Sequence, residues 1–144
     1  IPVVYPVHPR SLKRLRKTKL WNLLFTSNNV QLLPPVGYLD FLVLMKNSRM
    51  IITDSGGVQE EATTPPIRKP VLVTRISTER PEAVKSGFAF IAGTESDNIT
   101  KMISYLIEND LRLPSISPFG DGKAAEKIVN TIIDEQANTI AERV

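Results

Sequence analysis

The residue types with the most chemical potential sit in one short run, Asp54 to Ala62 (DSGGVQEEA). The apolar residues before it, Met50 to Thr53, read as a strand. The glycines read as a tight turn and the remainder as a helix opening at Gly56 or Gly57. In an open parallel α/β sheet the ligand crevice lies beyond the carboxyl ends of the strands, where Asp54 to Gly57 would fall. Two glycines clear side-chain bulk so that backbone N–H groups can approach an anion, and a helix mouth adds unpaired donors and partial positive charge. The chemistry implied is the binding of a phosphate. Ser55 either gives its hydroxyl to that phosphate or caps the helix, two uses that compete for one side chain. Glu60 and Glu61 fall in the first two turns, where a carboxylate is favourable against the helix dipole whether or not it touches a ligand.

Such a turn must be carried by a sheet, and the rest of the chain supplies the pattern. Apolar runs alternate with helical spacings, which predicts an α/β protein with a parallel sheet and helices on both faces. Strands are expected over Val3–Val7, Val30–Leu33, Met50–Thr53, Val71–Thr74 and Phe88–Ile91. Helices are expected from about Ser11, over Tyr38–Asn47, after the glycine turn, from about Pro81, over Ser96–Asn109 and from Gly122 to about Glu142. Thr94, Ser96 and Asp97 are candidate caps for the penultimate helix. The last helix has Ala124, Ala125, Ile128, Val129, Ile132 and Ile133 as its apolar face. Pro114 to Gly122, broken by two prolines and two glycines, is expected to be a loop. The opening run Ile1–Val7 reads as a buried strand without an initiator Met, so the chain is read as a fragment, all 144 residues forming one domain.

Composition removes several function classes. There is no cysteine and a single histidine, His8, which excludes disulfides, thiolate metal sites and a histidine-built metal site, and suits a reducing cytoplasm. No apolar run approaches the roughly 20 residues of a membrane helix. A net charge of +3 is too mild to announce a nucleic-acid partner. Arg10, Lys13, Arg14, Arg16, Lys17 and Lys19 do cluster, with Leu12, Leu15 and Leu20 at helical spacing. A solvated helix face explains the cluster; a phosphate-tracking patch is the alternative, with Trp21 as the lone aromatic available for stacking.

Read outward from the glycine turn, Tyr38–Met45, Asp54–Ala62, Lys69–Val73, Thr78–Val84 and Pro118–Ala124 occur in one order at fitting intervals. This ensemble, from about Tyr5 to Val129, resembles the non-hydrolysing UDP-N-acetylglucosamine 2-epimerases. The resemblance implies the second of two Rossmann-like domains facing each other across a cleft, the arrangement of GT-B glycosyltransferases. It implies a UDP-sugar substrate, no cofactor, a partner N-terminal domain and a homodimer at full length, with neither nucleic acid nor membrane as partner. The reaction it implies is anti elimination of UDP to 2-acetamidoglucal followed by return of UDP to the other face. The residues for proton transfer would lie in the first domain, so no catalytic residue is expected here and the isolated chain is expected to be inactive.

Residue by residue, the resemblance places Ser55 and Gly56 on the diphosphate. Glu61 would stand at the ribose, where an ionised carboxylate has two acceptor oxygens for a vicinal diol. Glu60 is then structural. Phe41 matches a residue lining the uracil pocket, partly through its main chain, and plain core packing is the competing account. Arg80 resembles a cleft arginine, a suitable partner for a leaving diphosphate because it is always charged and can bind two oxygens at once, with Glu79 holding it in place. His8 resembles a histidine that helps bind a second, activating UDP-sugar in some bacterial members, with Arg10 in the same region. A histidine simply hydrogen-bonded into the fold is the other reading.

Two departures from the family pattern stand out. Thr63 to Lys69 replaces a shorter stretch that usually has glycine just before the lysine, and Ser117 stands where asparagine is common. A UDP-binding half does not by itself fix the reaction. A hydrolysing epimerase or another GT-B enzyme is therefore the nearest alternative, and a non-catalytic basic binding module a distant one.

Overall fold

The computed structural model describes residues 1–141. Two compact units divide the chain, Ile1–Leu44 and Met45 onward.

In the first unit, β1 (Val3–Pro6) pairs in parallel with β2 (Val30–Leu33), in register from Val3 with Val30 to Pro6 with Leu33. Val7 is buried, but Val3, Val4 and Tyr5 are 46, 44 and 37% exposed, so the expected buried strand is instead open. Its physical reason is that a strand with one neighbour in a two-stranded sheet has little beside it to cover its faces. Between the strands, the single basic helix anticipated from the leucine spacing is two helices, α1 (Pro9–Leu15) and α2 (Leu20–Thr26). The break is made by a tight turn in which the amides of Lys17 and Thr18 donate to the carbonyls of Arg14 and Leu15 at 3.0 and 2.9 Å. Arg16 lies over the Trp21 ring at 5.4 Å, and Trp21 stacks on Phe25 at 5.6 Å. The helix α3 (Tyr38–Asn47) has the expected bounds.

The second unit holds a parallel sheet in the order β3 (Ile51–Thr53), β4 (Val71–Val73), β5 (Ala89–Ile91). Strand pairing thus forms two parallel sheets rather than one continuous ladder. The strands β3 and β4 are joined through α4 (Gly56–Ala62), and β4 and β5 through α5 (Pro81–Lys85), the βα alternation that the sequence indicates. Val71, Leu72 and Val73 in the central strand are wholly buried, as an all-apolar strand between two neighbours requires. The helix α6 (Ser96–Glu108) closes the core, with Leu106 packed against Leu72 and Ala92, and Ile99, Met102 and Ile103 against the same cluster. Its N-cap is Glu95, with no side-chain cap bond, rather than any of the three expected residues.

Pro114 to Gly122 forms neither helix nor strand, as expected. The last helix, α7 (Ala124–Ala141), starts two residues after the anticipated Gly122; Glu142 lies outside the described residues. On it Ile128, Val129, Ile132 and Ile133 are exposed. No helix among the described residues is long and apolar enough to cross a membrane.

Candidate functional site

The strand β3 ends at Thr53, and α4 begins three residues later. In between, the Ser55 amide donates to Thr53 Oγ1 at 3.0 Å, which folds the turn back on the strand end. Ser55 has the extended backbone of an N-cap, φ −84° and ψ 128°, yet its side chain makes no capping bond. The choice between capping and ligand binding therefore leaves the exposed hydroxyl available.

Neither Gly56 nor Gly57 has a positive φ. Glycine is thus not demanded by backbone conformation, and in a helical turn it costs roughly 1 kcal/mol against alanine. What it provides is room. A Cβ on Gly57 would meet nothing within 4 Å, and one on Gly56 would lie 3.6 Å from Arg80 Cζ and 3.7 Å from Arg80 Nη2. The guanidinium of Arg80 is therefore laid beside the first residue of α4.

Arg80 is held there from several directions. Its Nε donates to the Glu60 carboxylate, its Nη1 to the Glu79 carbonyl at 3.0 Å, and its amide to Thr78 Oγ1 at 3.1 Å. The carboxylate holding it is therefore Glu60's. Glu79 contributes its backbone, its own carboxylate being paired with Arg75 at 3.1 Å. Glu60's structural role is a reading the sequence permitted, but its partner, twenty positions further along, was not legible. Glu61, next to it, has no partner for its carboxylate among the described residues and is partly exposed.

Gln59 is a wholly buried polar side chain at the site that the glycine-turn pattern does not single out. Its Nε2 donates to the Ser55 carbonyl at 3.2 Å, and its Oε1 accepts from Thr78 Oγ1 at 2.6 Å. The signal that could have found it is its place three residues after Gly56, on the inward side of a helix whose other face bears two glutamates.

Behind the site, the C-cap residue of α4, Thr63, contacts Ser117 Oγ at 2.6 Å. The Thr63 hydroxyl donates to the Glu60 carbonyl at 2.7 Å, so Ser117 is the donor in that pair, and it accepts in turn from the Phe119 amide at 3.2 Å. In the remodelled loop that follows, Arg68 occupies φ 45°, a left-handed conformation at the position just before the lysine.

The remaining candidates lie in the first unit. Phe41 is half-buried on α3, with its amide donating to the Gly37 carbonyl at 2.9 Å. His8 is the N-cap of α1, its Nδ1 accepting from the exposed Arg10's amide at 3.2 Å. The structure thus brings the Arg80 guanidinium, from the start of α5, beside the turn that carries Ser55 and Gly56, with Glu61 further along α4. Phe41, His8 and Arg10 belong to the other unit.

Parallel strands joined through helices, with a glycine turn where β3 runs into α4, define a Rossmann-like α/β protein. The family model for UDP-N-acetylglucosamine 2-epimerase matches residues 1–133, and the chain belongs to that family. A UDP-N-acetylglucosamine 2-epimerase of Campylobacter jejuni is 42% identical over 144 aligned residues, covering 96% of this chain and 36% of that protein. One of Methanocaldococcus jannaschii is 37% identical over 130 residues, covering 90% of this chain and 34% of the relative. The crystal structure of the M. jannaschii enzyme in complex with UDP-GlcNAc and UDP matches with a TM-score of 0.79 at 36% identity, over 92% of this chain and 35% of that one. The chain spans about a third of the length of the curated relatives it matches.

Proposed function

We propose that residues 1–144 form the C-terminal, UDP-binding domain of an isomerase that interconverts UDP-N-acetylglucosamine and UDP-N-acetylmannosamine by elimination and re-addition of UDP. The observation that carries the reading is the Arg80 guanidinium lying beside Gly56, whose chain neighbour Ser55 makes no capping bond with its side chain. A free hydroxyl and helix amides on one turn, with a fixed cation beside it, are what a diphosphate needs. Charge building on UDP as the bond to the sugar breaks is stabilised most by groups already in place, and Arg80 is held from three sides before ligand arrives. Ser55 and Gly56 bind the diphosphate and Glu61 takes the ribose hydroxyls on its unspent oxygens, while Phe41 is assigned to a uracil pocket by the family resemblance alone. His8 and Arg10 serve a second UDP-sugar, and His8 does so from a ring already fixed through Nδ1.

Proton transfer at sugar carbon 2 needs an acid–base group, which this reading assigns to a preceding domain. The exposed apolar residues of α7 support a larger protein, since contiguous apolar surface marks a contact face. In this reading the full-length protein is a cytoplasmic homodimer, checked by sedimentation and fractionation.

The test is calorimetric titration of UDP into the full-length protein. Ser55→Ala and Glu61→Gln are each expected to weaken binding by about tenfold or more, the scale of a hydrogen bond to a charged group. Unchanged affinity in both would remove them from the site. Incubation with UDP-N-acetylglucosamine then separates reactions. UDP-N-acetylmannosamine marks epimerisation, free N-acetylmannosamine with UDP marks hydrolysis, and turnover only with an acceptor marks transfer.

A further inference from the structure

We infer that Gln59 and Thr78 are positioning residues that fix Arg80 relative to the Ser55 turn, so that the cation and the helix mouth meet a diphosphate as one preset unit. The inference rests on the reading of Ser55 and Arg80 as diphosphate contacts. Ser55 and Arg80 come from different βα units, twenty-five positions apart, and Gln59 with Thr78 forms the hydrogen-bonded path that joins their backbones.

The path has a defined polarity. The Ser55 carbonyl can only accept, so the amide nitrogen of Gln59 must face it, at 3.2 Å, and the amide oxygen faces Thr78. Thr78 Oγ1 spends its one proton on Gln59 Oε1 at 2.6 Å and accepts the Arg80 amide at 3.1 Å. Each group along this path thus has its donor or acceptor used in one direction. A primary amide suits the Gln59 position because it presents a donor and an acceptor from one planar group. Glutamate would set oxygen against the Ser55 carbonyl, and methionine would remove both side-chain bonds, leaving the Ser55 carbonyl only the Gln59 backbone amide at 3.3 Å.

Location argues for positioning over general packing. Gln59 is wholly buried, where an unsatisfied polar group is costly and a satisfied network is rigid. Arg80 is the N-cap residue of α5 without a side-chain cap bond, so the Thr78 hydroxyl constrains its backbone directly. Glu60 fixes the side chain and Thr78 the main chain from which it springs. A misplacement of an ångström at such a contact is enough to lose much of its effect on a reacting group.

The experiment is a double-mutant cycle on UDP affinity in the full-length protein, read by calorimetry, with thermal unfolding as the check on folding. Thr78→Val keeps the side-chain shape and removes the hydroxyl, and is expected to weaken UDP on the order of tenfold. Thr78→Ser should restore most of it. In an Arg80→Ala background, Thr78→Val should have no further effect, because its route to the ligand has gone. Gln59→Met should weaken UDP by a similar factor and lose most of that effect in the Arg80→Ala background, keeping only the part it exerts through the Ser55 carbonyl. Equal losses from Thr78→Val in both backgrounds, or none in the first, would overturn the positioning role while Ser55→Ala and Arg80→Ala still weakened UDP. If those two variants bound UDP as the parent does, the underlying site assignment would fail, and the inference with it.

Discussion

The guanidinium of Arg80 stands 3.6 Å from the place where a side chain on Gly56 would begin. That separation is ordinary van der Waals contact, so Gly56→Ala meets no clash within the protein. Alanine is also the better helix former, by up to about 1 kcal/mol. Gly56→Ala is therefore expected to unfold at the same temperature as the parent or slightly above it, while its methyl fills the gap between helix mouth and cation and lowers UDP affinity several-fold. Stability and affinity moving in opposite directions is the signature to look for. Affinity that holds while stability rises would place the phosphate elsewhere.

Arg68 carries a φ of 45° at the position where the family pattern has glycine. A residue with a Cβ is strained there by about 1–2 kcal/mol. Its Nη2 donates to the Leu113 carbonyl at 2.9 Å, which partly offsets the strain. Comparing Arg68→Gly with Arg68→Ala removes that bond from both and isolates the backbone. Arg68→Gly is expected to be the more stable by about 1 kcal/mol in urea unfolding. Equal midpoints would show that the loop relaxes out of the left-handed region.

What could be read from the sequence was whatever depends on local pattern. The strands at Val30–Leu33 and Val71–Val73, the helix over Tyr38–Asn47 and the glycine turn follow from apolar period and turn chemistry, and each lies within two residues of its expected bounds. The single helix drawn through Leu12, Leu15 and Leu20 failed because spacing alone does not reveal a turn at Lys17–Thr18. The exposure of Val3 to Tyr5 was hidden for a different reason: an apolar strand looks the same whether or not anything covers it. At the site, the turn was legible but its bracing was not. Glu60 with Arg80 and Gln59 with Thr78 are long-range pairs, and a single sequence carries no signal for which glutamate meets which arginine.

The hydroxyl path from Phe119 through Ser117 and Thr63 to the Glu60 carbonyl ties the loop before α7 to the end of α4. Ser117 and Thr63 are both buried, so cutting the path leaves the Phe119 amide without that partner. Ser117→Ala should lower stability by about 0.5–1.5 kcal/mol, the net worth of an ordinary hydrogen bond, since Thr63 keeps its bond to the Glu60 carbonyl and Phe119 is exposed. Chemical denaturation would show it as a shifted midpoint at constant slope. A change below about 0.5 kcal/mol would mean that water takes the serine's place.

Asp121 begins the α7 approach, and its carboxyl is held below its ordinary 3.8 by the Lys123 amide first and the Lys127 ammonium second. The amide donates to Oδ1 at 3.0 Å, and Lys127 Nζ lies 3.0 Å from Oδ2. Because the folded value is the lower one, the contribution to stability is fully present above 3.8 and is lost as pH falls through the folded value. Carboxyl-detected NMR titration should therefore place the Asp121 midpoint below 3.8, with the Lys123 amide resonance moving in step. Lys127→Gln should raise that midpoint only part of the way, since the backbone amide is the larger cause. A midpoint that returned fully to 3.8 in Lys127→Gln would make the ammonium the dominant partner and the amide bond incidental.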